Sequence, residues 1–262
     1  MFSVIRSTIK KNLRRRGLRI EKAGCLPKDF FAVVAAAALA RTRGDEHLPV
    51  VLQVGANDGV TNDPIFPFLR SYSSRAFLIE PQPDVFERLR MNYSGITNAT
   101  PIQVALEHTD GQVRMYRLAP GKEPKYRELH PHASNPSGFT SFDRDHVRGA
   151  LLAKFPRYFE DADVDEWIDE FFVEGVTFAT LRQRCDIDRI DLLQIDTEGY
   201  DYEILRMVFE SPERILPRMV NYEVRHLSEY DRRAAVCLLR ENGYSYFHHG
   251  HDLCAFRDLE LG

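Results

Sequence analysis

From residue 48 onward the chain alternates two periodicities. Dense apolar runs, Val50–Val54, Ala76–Glu80, Thr100–Leu106, Ile190–Ile195 and Met219–Val224, are rich in Val, Ile and Leu and do not alternate with polar residues. Runs of this length and composition are strands buried on both faces, as in a parallel sheet. Between them, apolar residues recur every three to four positions and predict helices over 65–71, Asp84–Tyr93, Ala179–Arg184, Tyr202–Glu210 and Ser228–Asn242. Pro83 stands where a helix start tolerates a missing N–H, and Gly243 follows the last helix as a stop. Strands spaced by helices imply right-handed βαβ units, so the pattern predicts an α/β fold with a doubly wound, mostly parallel sheet. Tyr244–Phe247 and Leu253–Phe256, joined through His249-Gly250-His251, predict a C-terminal antiparallel strand pair.

Elsewhere the alternation breaks. Val104–Glu107 and Gln112–Tyr116 flank Asp110-Gly111, a strong hairpin signal. Residues 119–174 hold five prolines and several histidines, among them His130, His132 and His146. A segment of this length in a compact domain is usually functional, and it predicts an excursion over the carboxyl ends of the strands. Helices are expected within it over His146–Ala153 and Val164–Phe171. Upstream, Asp29 caps an expected helix over Phe30–Arg43. Phe2, Ile5, Ile9, Leu13 and Ile20 keep helical spacing among basic residues, so Met1–Ala23 predicts an amphipathic helix. The expected domains are a helical extension over 1–47 and one α/β domain over 48–262 with a lid at about 119–174.

Net charge is −4 and the isoelectric point about 6.2, which argues against nucleic acid as a partner through bulk electrostatics. The charge is uneven: eight basic residues and one acidic residue in positions 1–22 give +7, leaving −11 on the rest. The basic arm either contacts an anionic membrane surface or packs as a solvated helix. Cys25, Cys185, Cys237 and Cys254 form no CxxC pair, so they read as buried free thiols in a reducing compartment. The apolar run Phe30–Ala40 is shorter than the roughly 20 residues a bilayer span needs. The expectation is a cytoplasmic protein with the arm as its one route to a membrane. The oligomeric state is not legible.

The candidate chemistry starts at Val50–Gly59, where a strand breaks into Gly55-Ala56-Asn57-Asp58-Gly59, and at Glu80, which ends the next strand. A carboxylate about 20 residues after a glycine turn is where such folds hold ribose hydroxyls. A P-loop is excluded, because Gly121-Lys122 has Tyr116 at the required first glycine and no following Ser or Thr. A dinucleotide needs a middle glycine for its pyrophosphate, and Asn57 occupies that place. S-adenosylmethionine has no phosphates. It needs room for an amino-acid end and a sulfonium, a carboxylate for the ribose, and an apolar floor for adenine, here Val104 to Leu106 with Ala105 between.

In their order, Gln53-Val54-Gly55-Ala56-Asn57-Asp58-Gly59, Ile79-Glu80-Pro81-Gln82-Pro83, Val104-Ala105-Leu106, Gly138–Phe142, Thr180-Leu181 and Asp191–Gly199 resemble the FkbM-type S-adenosylmethionine-dependent methyltransferases. The likeness runs from about Val50 to Phe256 and is most specific at Asp191–Gly199. It implies the class I methyltransferase fold, Rossmann-like with a seven-stranded sheet. It also implies O-methylation of hydroxyls on sugars, glycolipids, polysaccharides or secondary metabolites. The family's cofactor positions fall on Gly55, Asn57, Gly59 and Glu80. Gln53 departs from the acid common in class I members, and Gln194 from the lysine common in this family.

Methyl transfer to a hydroxyl requires an oriented acceptor oxygen and a place for its proton. Asp196 ends the fourth expected parallel strand, where open α/β sheets place ligand contacts; the competing role is capping of the next helix. Glu198, Glu223 and His226 are the further candidates, and Ser141 and His146 the candidates for the acceptor side. The same acids with His226 could hold Mg²⁺ or Mn²⁺, although they need no metal to be useful, and none is expected. Two other functions share the fold: a catalytically silent nucleoside-binding module, and a nicotinamide oxidoreductase, which Asn57 disfavours.

Overall fold

The apolar runs form strands whose two faces are both covered. All of β1 (Val50–Val54) and β7 (Leu192–Ile195) is buried, because β1 lies between β2 (Arg75–Ile79) and β7, parallel to each. With β3 (Ala99–Ile102), β8 (Met219–Glu223), β9 (Ser245–His249) and β10 (Asp252–Phe256) they make a seven-stranded sheet of order β3-β2-β1-β7-β8-β10-β9. β10 runs antiparallel to both of its neighbours, giving the expected C-terminal pair. This is the doubly wound, mostly parallel sheet of a class I methyltransferase. The computed structural model describes residues 48–131, 136–159 and 163–257 together with Ala35. The amphipathic arm and membrane contact expected for residues 1–23, the helix expected over Phe30–Arg43, His132 and Cys25 lie outside these, Ala35 apart.

One sheet face packs Leu52, Ile79, Leu193 and Ile195 against Ile204, Leu205 and Val208 of α6 (Asp201–Phe209) and Leu239 of α7 (Glu229–Glu241). The other packs Val51, Leu78 and Leu192 against Phe68 and Leu69 of α1 (Phe66–Ser71) and Leu89 of α2 (Pro83–Asn92). Burial of side chains of this size stabilises by roughly 1.5–3 kcal/mol each. The sheet therefore fixes the strand ends, and with them the site.

Two expectations between β3 and β7 are overturned. The hairpin around Asp110-Gly111 does not form: β4 (Ala105–Leu106) and β5 (Gly111–Leu118) are separated by β6 (Ile168–Val176), in a second sheet of order β4-β6-β5. β6 is parallel to β4 and pairs antiparallel with β5 along all of Gly111–Leu118, whereas β4 has only two residues to offer. Asp110 instead accepts from the Thr177 backbone N–H and the Thr180 hydroxyl, both at 2.6 Å, where α5 (Phe178–Cys185) begins. The helix over Val164–Phe171 is also absent. A 3-10 turn, Val164–Trp167, leads straight into β6, where Phe171 and Val173 are buried and Phe172 and Glu174 exposed. That alternation has a period of two, and the run Phe171-Phe172-Val173 has high strand propensity. The run Thr100–Leu106 splits between the sheets, its first part pairing with β2 and Ala105–Leu106 with β6.

Around this second sheet, Tyr126 of α3 (Glu123–Leu129), Val147 and Leu151 of α4 (Arg144–Lys154), Phe155 and Trp167 form a small core of their own. Cys185, Cys237 and Cys254 are free thiols; Cys254 is buried, Cys185 half-buried and Cys237 exposed on α7, so the buried-thiol expectation fails at Cys237. No helix among the described residues is long and apolar enough to cross a membrane.

Gly175 of β6 tests the strand order. A Cβ there would overlap the side chain of Val113 on β5, two residues along from Gly111, the register partner of Gly175. Gly175→Ala is expected to lower stability in urea unfolding by about 1–3 kcal/mol, the usual cost of overpacking. A neutral result would mean that β6 does not lie against β5.

Candidate active site

The sheet order reverses at β1, and the ends of β1 and β7 lie side by side at that switch point, where open α/β sheets bind ligands. The Asp196 backbone N–H donates to the Val54 carbonyl at 3.0 Å, drawing the two chain ends together. A Cβ on Gly55 would collide with the Asp196 carbonyl, and φ is +81°, so only glycine fits. Asn57, at φ 51°, turns its N–H onto Glu80 Oε2 at 2.9 Å.

Two cavities meet here. The first, of about 740 Å³, has an apolar side made by Ile79, Val104, Ala105, Leu106 and Met115, with Glu80 on its wall and Ser141 and Phe142 across from the strand ends. Glu80 is 4% exposed, and burial pushes its carboxyl up to about 7 against the opposing N–H bonds of Gln82 and Asn57. Each of its oxygens accepts one of those N–H groups at 2.9 Å, and a carboxylate oxygen can accept two. Glu80 can therefore take two hydroxyls without giving up its backbone partners.

The second cavity, of about 610 Å³, is polar, with Gln53, Thr61, Asn62, Asp63 and Gln194 in its wall. Gln53, Gln194 and Asn221 form one cross-strand row on β1, β7 and β8. Asn221 Nδ2 donates to Gln194 Oε1 at 2.9 Å and to Asp252 at 3.1 Å. Gly55, Asn57, Gly138, Asp196 and Glu198 line both cavities, so the two halves of one cleft join at the end of β7.

The acids at this junction are not equivalent. Asp201 is fully buried and its Oδ2 accepts from the Thr197 N–H and hydroxyl and the Gly199 N–H, while Oδ1 accepts from the Glu223 N–H. Burial still raises it to about 6. Asp201 organises the loop; the capping role weighed for Asp196 is filled by neither acid, because the helix that follows has Tyr200 at its N-cap and no side-chain cap. Asp196 keeps its surface on the cleft, and no described residue donates to its carboxylate. The walls that shield it from bulk water, and then Asp201, Glu198 and Glu223, push its carboxyl well above the ordinary range.

Glu198 sits at φ 54° and is raised to about 8, by burial first and then by Glu223 and Asp201. Its Oε2 lies 3.3 Å from His226 Nε2, and Glu223 Oε2 lies 3.7 Å from the same nitrogen. His226 is lowered by burial and by the charges of Arg225, His146 and His251. At neutral pH the proton therefore resides on the carboxyl side and the imidazole is neutral. Ligand atoms of Glu198, Glu223 and His226 all fall within 4.8 Å of one another, a spacing that a divalent ion could bridge.

The structure gathers Asp196, Glu198, Glu223 and His226 at one corner, with His146 added by ring contact with His226 at 6.4 Å. Ala105, Leu106, Asn57, Gly55 and Glu80 line the first cavity, with Ser141, whose backbone pairs with Tyr116. Gly59 lines neither; its missing side chain makes room for Tyr93 and Leu89 of α2. His130 lies by Phe155, away from the cleft. Glu203, on the helix after this loop, pairs with Arg206 and His108. Asp63 was not foreseen. An Asp-Pro pair shortly after a glycine turn reads as punctuation, and its approach to Gln53 is visible only in three dimensions.

The family model for the methyltransferase FkbM domain matches residues 53–246. The sequence matches none of the curated proteins searched. Among solved structures, the chain is similar to an FkbM methyltransferase from Methylobacillus flagellatus KT at 12% identity and TM-score 0.44, covering 80% of this chain and 43% of that one. It is also similar to precorrin-6y C5,15-methyltransferase from Geobacter metallireducens GS-15 at 14% identity and TM-score 0.39, covering 86% and 88%. A third is ribosomal protein L11 methylase from Lactobacillus delbrueckii subsp. bulgaricus, at 11% identity and TM-score 0.38, covering 90% and 81%. Likenesses at these scores carry no argument about the acceptor.

Glu80 gives a pH test with a definite sign. Its carboxyl moves from 4.5 to about 7 on folding, so the folded chain holds a proton that the unfolded chain releases. That contribution to stability is present below pH 4.5 and is lost as pH rises through 7. Urea unfolding of the unliganded protein should show Glu80→Gln flattening the fall between pH 4.5 and 7 by roughly 3 kcal/mol. Identical pH slopes in both proteins would contradict the burial of this acid.

Proposed function

This chain belongs to the FkbM methyltransferase family, and on that premise we propose that it transfers a methyl group from S-adenosylmethionine to a hydroxyl of a sugar, glycolipid, polysaccharide or secondary metabolite. The observation that carries the reading is the junction at Asp196, where an apolar cavity with a ribose-type acid meets a polar one. A transferase needs two ligand sites that touch where the group passes.

The residues fit this cofactor. Ala105, Leu106 and Met115 offer a floor for adenine, and Glu80 retains acceptor capacity for both ribose hydroxyls. When bound, S-adenosylmethionine supplies a methyl group on a sulfonium, an electrophile that needs no further activation. The acceptor hydroxyl is oriented by Asp196, whose carboxylate is bare toward the cleft. Asp196 would accept the hydroxyl proton as the oxygen takes up the methyl group. A positive charge sharing the cleft favours the ionised form that Asp196 needs for this step. Neutral His226, held by Glu198 and Glu223, is placed to carry the proton onward to solvent. The reading keeps the cytoplasmic location suggested by the cysteine pattern.

Calorimetry with S-adenosylmethionine, S-adenosylhomocysteine and NAD tests the premise: the first two are expected to bind and NAD is not. Glu80→Ala should weaken both adenosyl ligands by about 2 kcal/mol, the scale of hydrogen bonds to a charged group. Unchanged affinity would remove Glu80 from the site. With a hydroxylated acceptor in hand, Asp196→Asn should lower turnover by roughly 10²–10⁴, the usual worth of a positioned base, and leave S-adenosylhomocysteine affinity within a few fold. Turnover should survive exhaustive chelation; its loss, restored by Mn²⁺ alone, would assign Glu198, Glu223 and His226 to a metal.

A further inference from the structure

The polar half of the cleft contains a charge that no described residue balances. Asp63 accepts from the Ile65 backbone N–H at 2.7 Å through Oδ1 and from Gln53 Nε2 at 3.1 Å through Oδ2. Its only charged influence of note is Asp58, of the same sign. Asp63 keeps some surface on the cavity that it lines and is otherwise enclosed, so burial raises its carboxyl to about 6. Gln53 is 3% exposed, and because its amide nitrogen is committed to Asp63, its carbonyl Oε1 is left buried with no donor among the described residues. Buried acceptors without donors are costly, and native proteins rarely retain them without a use.

The surroundings sharpen the demand. Asp196 and Glu198 complete the wall, and no lysine or arginine lines this cavity among the described residues. Closing the turn before α1 would use one oxygen of Asp63 and would be served as well by asparagine, which carries no charge. A carboxylate and an orphan carbonyl in a polar cavity of negative sign call for a ligand that brings several N–H donors on a positive charge. An ammonium group has three donors and no acceptor. A phosphate or carboxylate would meet acceptors only.

We propose that Asp63 and Gln53 form an ammonium-binding corner of the cleft. The group has two available sources, the amino-acid end of the cofactor or an amine on the acceptor, and the cavity's junction with the cofactor side at Gly55 and Asn57 puts both within its reach. The corner is defined by its own residues; only the first source rests on the cofactor reading given above.

The test compares wild type with Asp63→Asn, which keeps the acceptor for the Ile65 N–H and removes the charge. Calorimetry measures S-adenosylhomocysteine and 5′-methylthioadenosine, which lacks the amino-acid end. Saturation-transfer NMR, with 5′-methylthioadenosine present, measures glucosamine and N-acetylglucosamine. A loss of tenfold or more for S-adenosylhomocysteine, with methylthioadenosine unchanged, assigns the corner to the cofactor's ammonium. A selective loss for glucosamine assigns it to the acceptor. Gln53→Met, which deletes the orphan carbonyl, should weaken the same ligand. Equal losses for all four probes, or no selective loss for either ammonium ligand, overturn the proposal. If neither adenosyl compound binds wild type, the cofactor reading falls, and the glucosamine pair alone decides the corner.

Discussion

The close approach of two parallel strand ends governs this site. β1 and β7 finish side by side, and the Asp196 carbonyl occupies the space that a side chain on residue 55 would need. The left-handed turn at Gly55 lets the chain leave β1 without prying the strands apart. Asn57 then reaches back to Glu80 at the end of β2. Three consecutive strand ends are thus tied by one turn, and the cleft is what remains between them. The glycine that suggests cofactor binding in the sequence is required first by the sheet.

That geometry gathers acids in a confined space, where each opposes the ionisation of the next. Asp201 is satisfied by four donors and holds the β7 loop in shape. Asp196 has none and faces the cleft. The contrast separates structure from chemistry within five residues of sequence, and it follows from hydrogen bonds, not from residue type. Keeping Asp63, Glu80, Asp196 and Glu198 under-compensated destabilises the free protein, a cost offset by the sheet core and suited to a ligand that arrives with positive charge. Glu198 and Glu223 lie 3.3 and 3.7 Å from one imidazole nitrogen of His226, and the charge of Glu223 opposes ionisation of Glu198, so the two carboxyls do not titrate independently.

Much of the main sheet was legible because its strands are short apolar runs and its helices carry a 3.6-residue stripe, both local signals. The second sheet was not. The Asp110-Gly111 hairpin is a sound local inference, yet β6, more than 50 residues further on, offers β5 a full ladder, and the longer pairing wins. Residues 168–176 do alternate in burial, but the stretch sits among helical and proline-rich neighbours that hide a nine-residue strand. For the site, Glu80 and the acids after β7 were legible from their positions at strand ends. Asp63 was not, since its partner Gln53 lies on another element.

The sequence by itself determined the sheet's main strands, the glycine turn, the acid at the end of β2 and the identity of the family, because these depend on spacing along one chain. Only the tertiary structure decided which acid is bare, which is saturated, and which amide is left without a donor. Those properties depend on what approaches from elsewhere in the fold: the carbonyl of Asp196 over Gly55, the donors around Asp201, and the carboxylate of Asp63 beside Gln53. Long-range contacts set the charge state of a buried group, and composition and periodicity do not contain them.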